Sequence, residues 1–145
     1  MNISLRRADL EDKELLFKWF NNLDSLKFKI KTDSKISFIT HEKWFIERLK
    51  DKNTFIWIIE CDKRQMGQIR LQYSKYYYEV DIYIVKDFRK LGIASLALKE
   101  AENNSKLKPL RAVVKNNNKV SRLFFLKNGF SVNSENKNFI SLVKE

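Results

Sequence analysis

The feature that most limits the fold is a change of hydrophobic period near the middle of the chain. The run Tyr76–Val85 (YYYEVDIYIV) is the most strongly β-prone segment, whereas apolar residues recur at helical spacing across Gly92–Glu102. A short polar turn joins the two. A strand that passes directly into a helix predicts a βα unit, which is the building block of an α/β protein.

The flanking segments complete a mixed order. Alternation at residues 3–7 predicts a short first strand, and two amphipathic helices follow, the first starting at Asp9 or Asp12 and the second capped by Thr40. Further strands and helices are predicted at Thr54–Glu60, Met66–Tyr73, Leu110–Val114, Asn118–Asn128 and Phe139–Val143. The order β-α-α-β-β-β-α-β-α-β(-β) predicts one α/β domain over residues 1–145, with a mixed, mostly antiparallel sheet and flanking helices.

Composition excludes several classes of protein. With 43% hydrophobic residues in 145, the chain can bury a real core and is not intrinsically disordered. The single cysteine, Cys61, can form neither an internal disulfide nor a cysteine-rich zinc site, so no metal is expected. No apolar run reaches the length of a membrane span, and the first residues become charged at once, so neither a membrane partner nor a signal peptide is expected. These features predict a cytoplasmic protein.

The net charge of +11 predicts attraction to polyanions, which include nucleic acids, nucleotides and phosphorylated cofactors. A basic nucleic-acid-binding module is one alternative, supported by this charge and by the tyrosine cluster 76–78. However, the sequence contains no helix-turn-helix, zinc-finger or RNA-recognition signature, and its basic residues are interleaved with acidic ones. We therefore expect no nucleic-acid partner.

The turn Arg89–Ala94 (RKLGIA) has the chemistry of a phosphate site. Gly92 lets the backbone approach a ligand without a Cβ in the way, and the free N–H groups of a helix N-terminus point to the same place. Arg89 and Lys90 add positive charge. The chain has neither G-x-G-x-x-G nor G-K-[ST], so the common nucleotide loops are excluded.

Two blocks of sequence together resemble a known superfamily. Arg-x-x-Gly-x-Ala at 89–94 resembles the acetyl-CoA pyrophosphate loop of the GNAT N-acetyltransferases. The blocks Asn118–Ser121 (NKVS) and Lys127–Phe130 (KNGF) are similar to the signature on the last long helix of many members. The resemblance extends over nearly the whole chain and implies an enzyme that transfers an acetyl group from acetyl-CoA to a primary amine.

The resemblance also implies where the cofactor binds. Backbone N–H groups of the turn would hold the pyrophosphate, the end of the preceding strand would pair with the pantetheine arm, and the next strand would diverge to leave a V-shaped slot between strands 4 and 5. The implied cofactor-binding residues are Ile84, Val85, Arg89, Lys90, Leu91, Gly92, Ile93, Ala94, Asn118 and Ser121.

For catalysis, the resemblance implies direct attack by the amine in a ternary complex, which needs a base and an oxyanion donor. Glu79, Asp81 and Tyr83 alternate along one strand and so share one face. Glu79 resembles the strand glutamate that acts as base in several members, and Asp81 is the other candidate. A backbone amide near Ile84 or Val85 is the expected oxyanion donor.

The sequence departs from the family pattern at Phe125. Many members place a tyrosine at this position, seven residues after the helix asparagine, where it acts as acid toward the CoA thiolate. Phenylalanine cannot donate a proton, so water, Tyr83 or another tyrosine would serve, or no acid is needed.

The acceptor is expected to be recognised by the N-terminal half. The stretch Ile30–Leu49 and the residues Trp19–Asn22 are similar to amino-sugar nucleotide N-acetyltransferases that act on a UDP-linked 4-amino sugar. His41 and Trp44 are candidate substrate-binding residues, and a basic site with aromatic surfaces suits a uridine diphosphate. Ribosomal-protein-type N-terminal acetyltransferases are an equally good resemblance, and other small amines remain open. A monomer or a homodimer is compatible with the sequence.

Overall fold

The computed structural model describes residues 2–22 and 36–145. Its strands are β1 (Ser4–Arg7), β2 (Thr54–Cys61), β3 (Arg64–Ser74), β4 (Tyr77–Ile84), β5 (Leu110–Lys115), β6 (Ser131–Glu135) and β7 (Phe139–Lys144). Its α-helices are α1 (Lys13–Phe20), α2 (Phe38–Lys50), α3 (Ile93–Ser105) and α4 (Lys119–Lys127). This order confirms the predicted α/β class.

The seven strands form one sheet in the order β1-β2-β3-β4-β5-β7-β6. Every neighbouring pair is antiparallel except β4 and β5, which are parallel and are paired only at Tyr78–Leu110 and Glu79–Arg111. From Val80 and Ala112 onward the two strands no longer pair with each other. The sheet therefore opens between β4 and β5, which confirms the predicted V-shaped slot.

Both faces of the central sheet are covered, which explains why β2 is almost continuously apolar. On one face Ile56 and Ile58 pack with Leu16, Trp19 and Phe45 of α1 and α2. The other face packs against α3 and α4, and its buried residues include Trp57, Ile59, Ile69, Leu71, Ile93, Leu98, Phe125 and Leu142. We call the face that carries Ile56 and Ile58 the α1–α2 face. No helix among the described residues is long and apolar enough to cross a membrane.

Helix starts differ in detail from the sequence prediction. Helix α2 is capped by Ser37, whose side chain accepts from the Thr40 amide, so the helix begins earlier than a Thr40 cap implies. Asp9 and Asp12 both contribute to the first helical turn, because they form a capping box. The Asp9 side chain accepts from the backbone of Asp12, and the Asp12 side chain accepts from the backbone of Asp9. Asp12 is in turn held by two hydrogen bonds from Arg6, at 2.9 and 3.0 Å.

Candidate active site

The opening between β4 and β5 forms a cavity of about 720 Å³. One wall is β4 from Val80 to Ile84, and the other is the facing part of β5. The turn before α3 closes one end, and α4 covers the side. Because Phe20 of α1 lines the slot together with residues of α3 and α4 from the opposite face, the slot passes through the sheet to the α1–α2 face.

The turn before α3 has the backbone of an anion site. Lys90 and Gly92 have φ of 64° and 79°, and Gly92 stands at the helix N-cap without any side-chain cap. The first amides of α3 therefore have no side chain competing for them. A Cβ at Gly92 would meet no atom within 4 Å, so the space in front of the turn is open. These features fit a pyrophosphate group such as that of acetyl-CoA.

Arg89 fixes this turn to the end of β4. Its Nε donates to the carbonyl oxygen of Ile84 at 2.8 Å, and its guanidinium lies 5.6 Å from the ring centroid of Tyr83. Of the ten predicted cofactor residues, eight line the slot: Ile84, Arg89, Lys90, Gly92, Ile93, Ala94, Asn118 and Ser121. Val85 and Leu91 do not.

Val85 is excluded as the oxyanion donor, because its amide donates to the carbonyl oxygen of Met66 at 2.8 Å. The amide of Ile84 is the better candidate. A Cβ at Gly67 would overlap the carbonyl oxygen of Tyr83 and lie 3.0 Å from Ile84 Cα, so β4 approaches β3 closely at this point. In a trans peptide the Ile84 N–H points opposite to the Tyr83 carbonyl, and therefore away from β3 toward the slot.

The two candidate bases have different surroundings. Glu79 does not line the slot. Its carboxylate pairs with Arg111, which is its partner at the last paired position of β4 and β5. The Nε of Arg111 donates to this carboxylate at 2.7 Å, and its Nη2 also donates. The Glu79 carboxylate is the main cause of the raised pKa of Arg111, followed by burial, which opposes it. Asp81 lines the slot, is exposed, and accepts a hydrogen bond of 2.8 Å from the fully buried Gln68.

Tyr83 lines the slot and contacts Trp19 at 5.7 Å between ring centroids. Phe125 also lines it, but it is buried against Phe124 and Phe130. All five tyrosines are among the described residues, and Tyr83 is the one at the slot. Phe125 cannot donate a proton, and Tyr83 is the tyrosine that lines the slot among the described residues.

Asn118 and Ser121 form part of the wall opposite β4. The side chain of Asn118 caps α4 by accepting from the Ser121 amide at 3.1 Å. This cap orients the first turn of α4 beside the slot. Both residues are half-buried, so each has a surface that a ligand can contact.

The two predicted substrate-binding residues lie outside the slot. His41 is 0% exposed; its Nε2 lies 2.9 Å from the Lys13 carbonyl oxygen, and its ring is parallel to that of Phe45. This position favours a packing role over contact with a substrate. Trp44 is half-buried and contacts Phe20, which does line the slot. Residues 30–35 of the predicted acceptor stretch lie outside the described part of the chain.

Three residues that sequence reasoning missed stand next to the site: Gly67, Gln68 and Arg111. Gly67 had a readable signal, because a lone glycine inside a strand pattern indicates a close approach of another backbone. No sequence signal marks Gln68 or Arg111, because their contacts with Asp81 and Glu79 depend on the register of β3 and β5 against β4.

A mixed sheet that opens beside an uncapped helix N-terminus has the geometry expected of a site for a phosphorylated cofactor. Residues 2–131 match the family model described as an acetyltransferase (GNAT) domain, and the chain belongs to that family. It is thus an acetyl-CoA-dependent N-acetyltransferase. A comparison with curated protein sequences returns no match.

Solved structures share this fold over almost their whole length. A spermidine N-acetyltransferase from Vibrio cholerae, in complex with CoA and spermine, is 17% identical with a TM-score of 0.81, covering 97% of this chain and 94% of the other. An acetyltransferase from Thermus thermophilus is 15% identical with a TM-score of 0.84, covering 99% and 97%. RimL, a ribosomal L7/L12 alpha-N-protein acetyltransferase, is 12% identical with a TM-score of 0.79, covering 99% and 90%.

Proposed function

We propose that this enzyme acetylates the primary amine of an amino-sugar nucleotide, with Asp81 as the base. The observation that carries the catalytic part is the contrast between the two carboxylates. Glu79 is held by Arg111 outside the slot, whereas Asp81 lines the slot and is exposed to solvent. An exposed carboxylate can take the proton of an incoming ammonium and release it to water.

Acetyl-CoA supplies the acetyl thioester. In the transfer, a nitrogen–carbon bond forms and the carbon–sulfur bond breaks, the amine loses a proton, and the thiolate gains one. The turn Arg89–Ala94 would hold the pyrophosphate, and Asn118 and Ser121 would contact the arm. The Ile84 amide would donate to the acetyl oxygen as negative charge develops there. Tyr83 would return a proton on the thiolate side.

The charges on the α1–α2 face support a phosphorylated acceptor over a polyamine. Beside the slot the described residues of this face include Arg70 and Arg111 together with Asp81 and Glu79, so this described group offers no net negative charge to a polycation. The chain as a whole carries +11, which disfavours a basic protein substrate as well. A protein N-terminus is the second candidate, and RimL is a protein of similar fold that acts on one.

The first experiment is a melting curve with and without about 1 mM acetyl-CoA in about 150 mM salt, near physiological ionic strength. A ligand at about 100 times its Kd adds roughly 2.7 kcal/mol, which raises the Tm of a domain of this size by several degrees. Release of free thiol is then measured with a UDP-linked 4-amino sugar, spermidine and a peptide N-terminus as acceptors. No Tm shift contradicts the cofactor site, and preferential turnover of spermidine or the peptide contradicts the proposed acceptor.

A further inference from the structure

The side chain of Arg70 occupies a position beside the slot that the mechanism above does not use. Arg70 lies on β3, in register with Asp81 of β4 and with Ile56 of β2. Since Ile56 packs with α1 and α2, Arg70 is on the α1–α2 face. Neighbours in register lie about 5 Å apart, so Arg70 stands next to the carboxylate proposed as the base.

Helix α2 holds the Arg70 guanidinium in place. Its Cζ lies 5.0 Å from the ring centroid of Trp44, and Trp44 contacts Phe20 with centroids 5.7 Å apart. Phe20 lines the slot, so the stack continues the slot along the α1–α2 face. Stacking uses the flat surface of a guanidinium and leaves its N–H edge available for a carboxylate or phosphate.

Arg70 has no carboxylate partner within the described residues, in contrast to Arg6 and Arg111, whose strand positions share this face. Arg6 pairs with Asp12, and Arg111 pairs with Glu79. The neighbour in register, Asp81, instead accepts from Gln68. A half-buried cation without a counter-ion gains more from an incoming anion than an exposed one does, because the effective dielectric constant is lower there.

We propose that Arg70 and Trp44 bind an anionic group of the acceptor, a phosphate or a carboxylate, while its amine lies at Asp81. This proposal rests on the proposed function and adds to it a substrate class: primary amines that carry an anion at a distance. The guanidinium makes charge-assisted hydrogen bonds to the anion, and the indole fixes the orientation of the guanidinium. A polyamine meets a fixed positive charge at the same place.

The test compares Arg70→Gln with Arg7→Gln as a matched control. Arg7 also stacks on aromatic rings, 4.9 Å from the Phe55 centroid, but lies on the opposite face of the sheet. KM and kcat are measured with a UDP-linked 4-amino sugar, L-glutamate, benzylamine and spermidine. We expect Arg70→Gln to raise KM for the two anionic amines about tenfold or more, with kcat and the KM for benzylamine little changed. Arg70→Lys keeps the charge and should give an intermediate KM.

A second readout does not depend on turnover. The Tm of each variant is measured with the UDP-linked sugar and with L-glutamate, which also separates a phosphate from a carboxylate as the ligand. We expect at least one of them to stabilise the wild type and the Arg7→Gln variant, but not Arg70→Gln. The proposal is overturned if Arg70→Gln raises KM equally for the anionic amines and for benzylamine. It is also overturned if the ligands shift the Tm equally in all variants. Absence of acetyl-CoA binding overturns the proposed function instead, and the Tm series still decides the role of Arg70.

Discussion

The carbonyl oxygen of Tyr83 occupies the place that a Cβ of Gly67 would take. This contact explains why a residue without a side chain stands in the middle of β3, since the other glycines lie in turns with positive φ. It also couples β3 to the slot. The Tyr83–Ile84 peptide is seated against Gly67, and its other end directs the Ile84 N–H toward the proposed acetyl position.

Replacement of Gly67 by alanine is expected to damage chemistry more than cofactor binding. The added methyl group must displace the Tyr83–Ile84 peptide, at a cost of about 1–3 kcal/mol in folding free energy. Misplacing one oxyanion donor lowers kcat roughly 100-fold. The measurements are kcat, the Kd for acetyl-CoA and the Tm. Gln65→Ala, at an exposed position of the same strand, is the control. Normal kcat in a folded Gly67→Ala variant would exclude Ile84 as the donor.

Asp81→Asn and Glu79→Gln should separate the base from the ion pair at the vertex of the slot. Loss of a general base lowers kcat about 100-fold to 10,000-fold, so we expect this effect for Asp81→Asn. Glu79→Gln removes the charge that pairs with Arg111, which costs roughly 1 kcal/mol or less in folding free energy. We expect a lower Tm and a kcat within about tenfold of wild type. If Glu79→Gln, and not Asp81→Asn, shows the large loss, both in kcat and in the profile of kcat/KM against pH, the base is Glu79.

Gly92→Ala and Gly129→Ala introduce the same backbone strain, the first inside the turn Arg89–Ala94 and the second outside it. Both glycines have positive φ, 79° and 94°, so alanine costs about 1–2 kcal/mol at either position. Only Gly92 lines the slot. We expect both variants to have a lower Tm, but only Gly92→Ala to bind acetyl-CoA about tenfold more weakly or worse, measured by calorimetry. Equal Kd values for the two variants would show that the turn does not hold the cofactor.

Acid unfolding should depend on Asp12. Burial opposes ionisation of this carboxyl, but hydrogen bonds from Arg6 and from the Asp9 amide outweigh it and hold its pKa below the usual range. A carboxyl with a lowered folded-state pKa adds stability above its unfolded value of about 3.9, and that stability is lost as the pH falls through the folded-state pKa.

We therefore expect Asp12→Asn to lower the free energy of unfolding by about 1–3 kcal/mol at pH 7, with a smaller difference from wild type at pH values below the folded-state pKa. Urea titrations at several pH values measure this. Asp87→Asn removes an exposed carboxylate and is the control. A difference from wild type that does not change with pH would contradict the role given to Asp12.

Local sequence patterns were enough to predict the order of elements and the position of the turn before α3. The period changes at Tyr76–Val85 and Gly92–Glu102 are local properties of the chain, and each element formed close to where its pattern lies. The glycine turn could also be recognised locally, because positive φ and an uncapped helix N-terminus depend on neighbouring residues alone.

Which side chains meet at the slot depends on contacts between distant parts of the chain. Glu79 and Asp81 are equivalent in the strand pattern, and they differ because Arg111 of β5 and Gln68 of β3 come to them from distant parts of the chain. His41 is a candidate substrate ligand in the sequence, because a single histidine carries no local pattern that shows whether it is buried. In the structure it is buried between α1 and α2. Strand register and helix docking bring together residues far apart in sequence, and a local pattern carries no information about those distances.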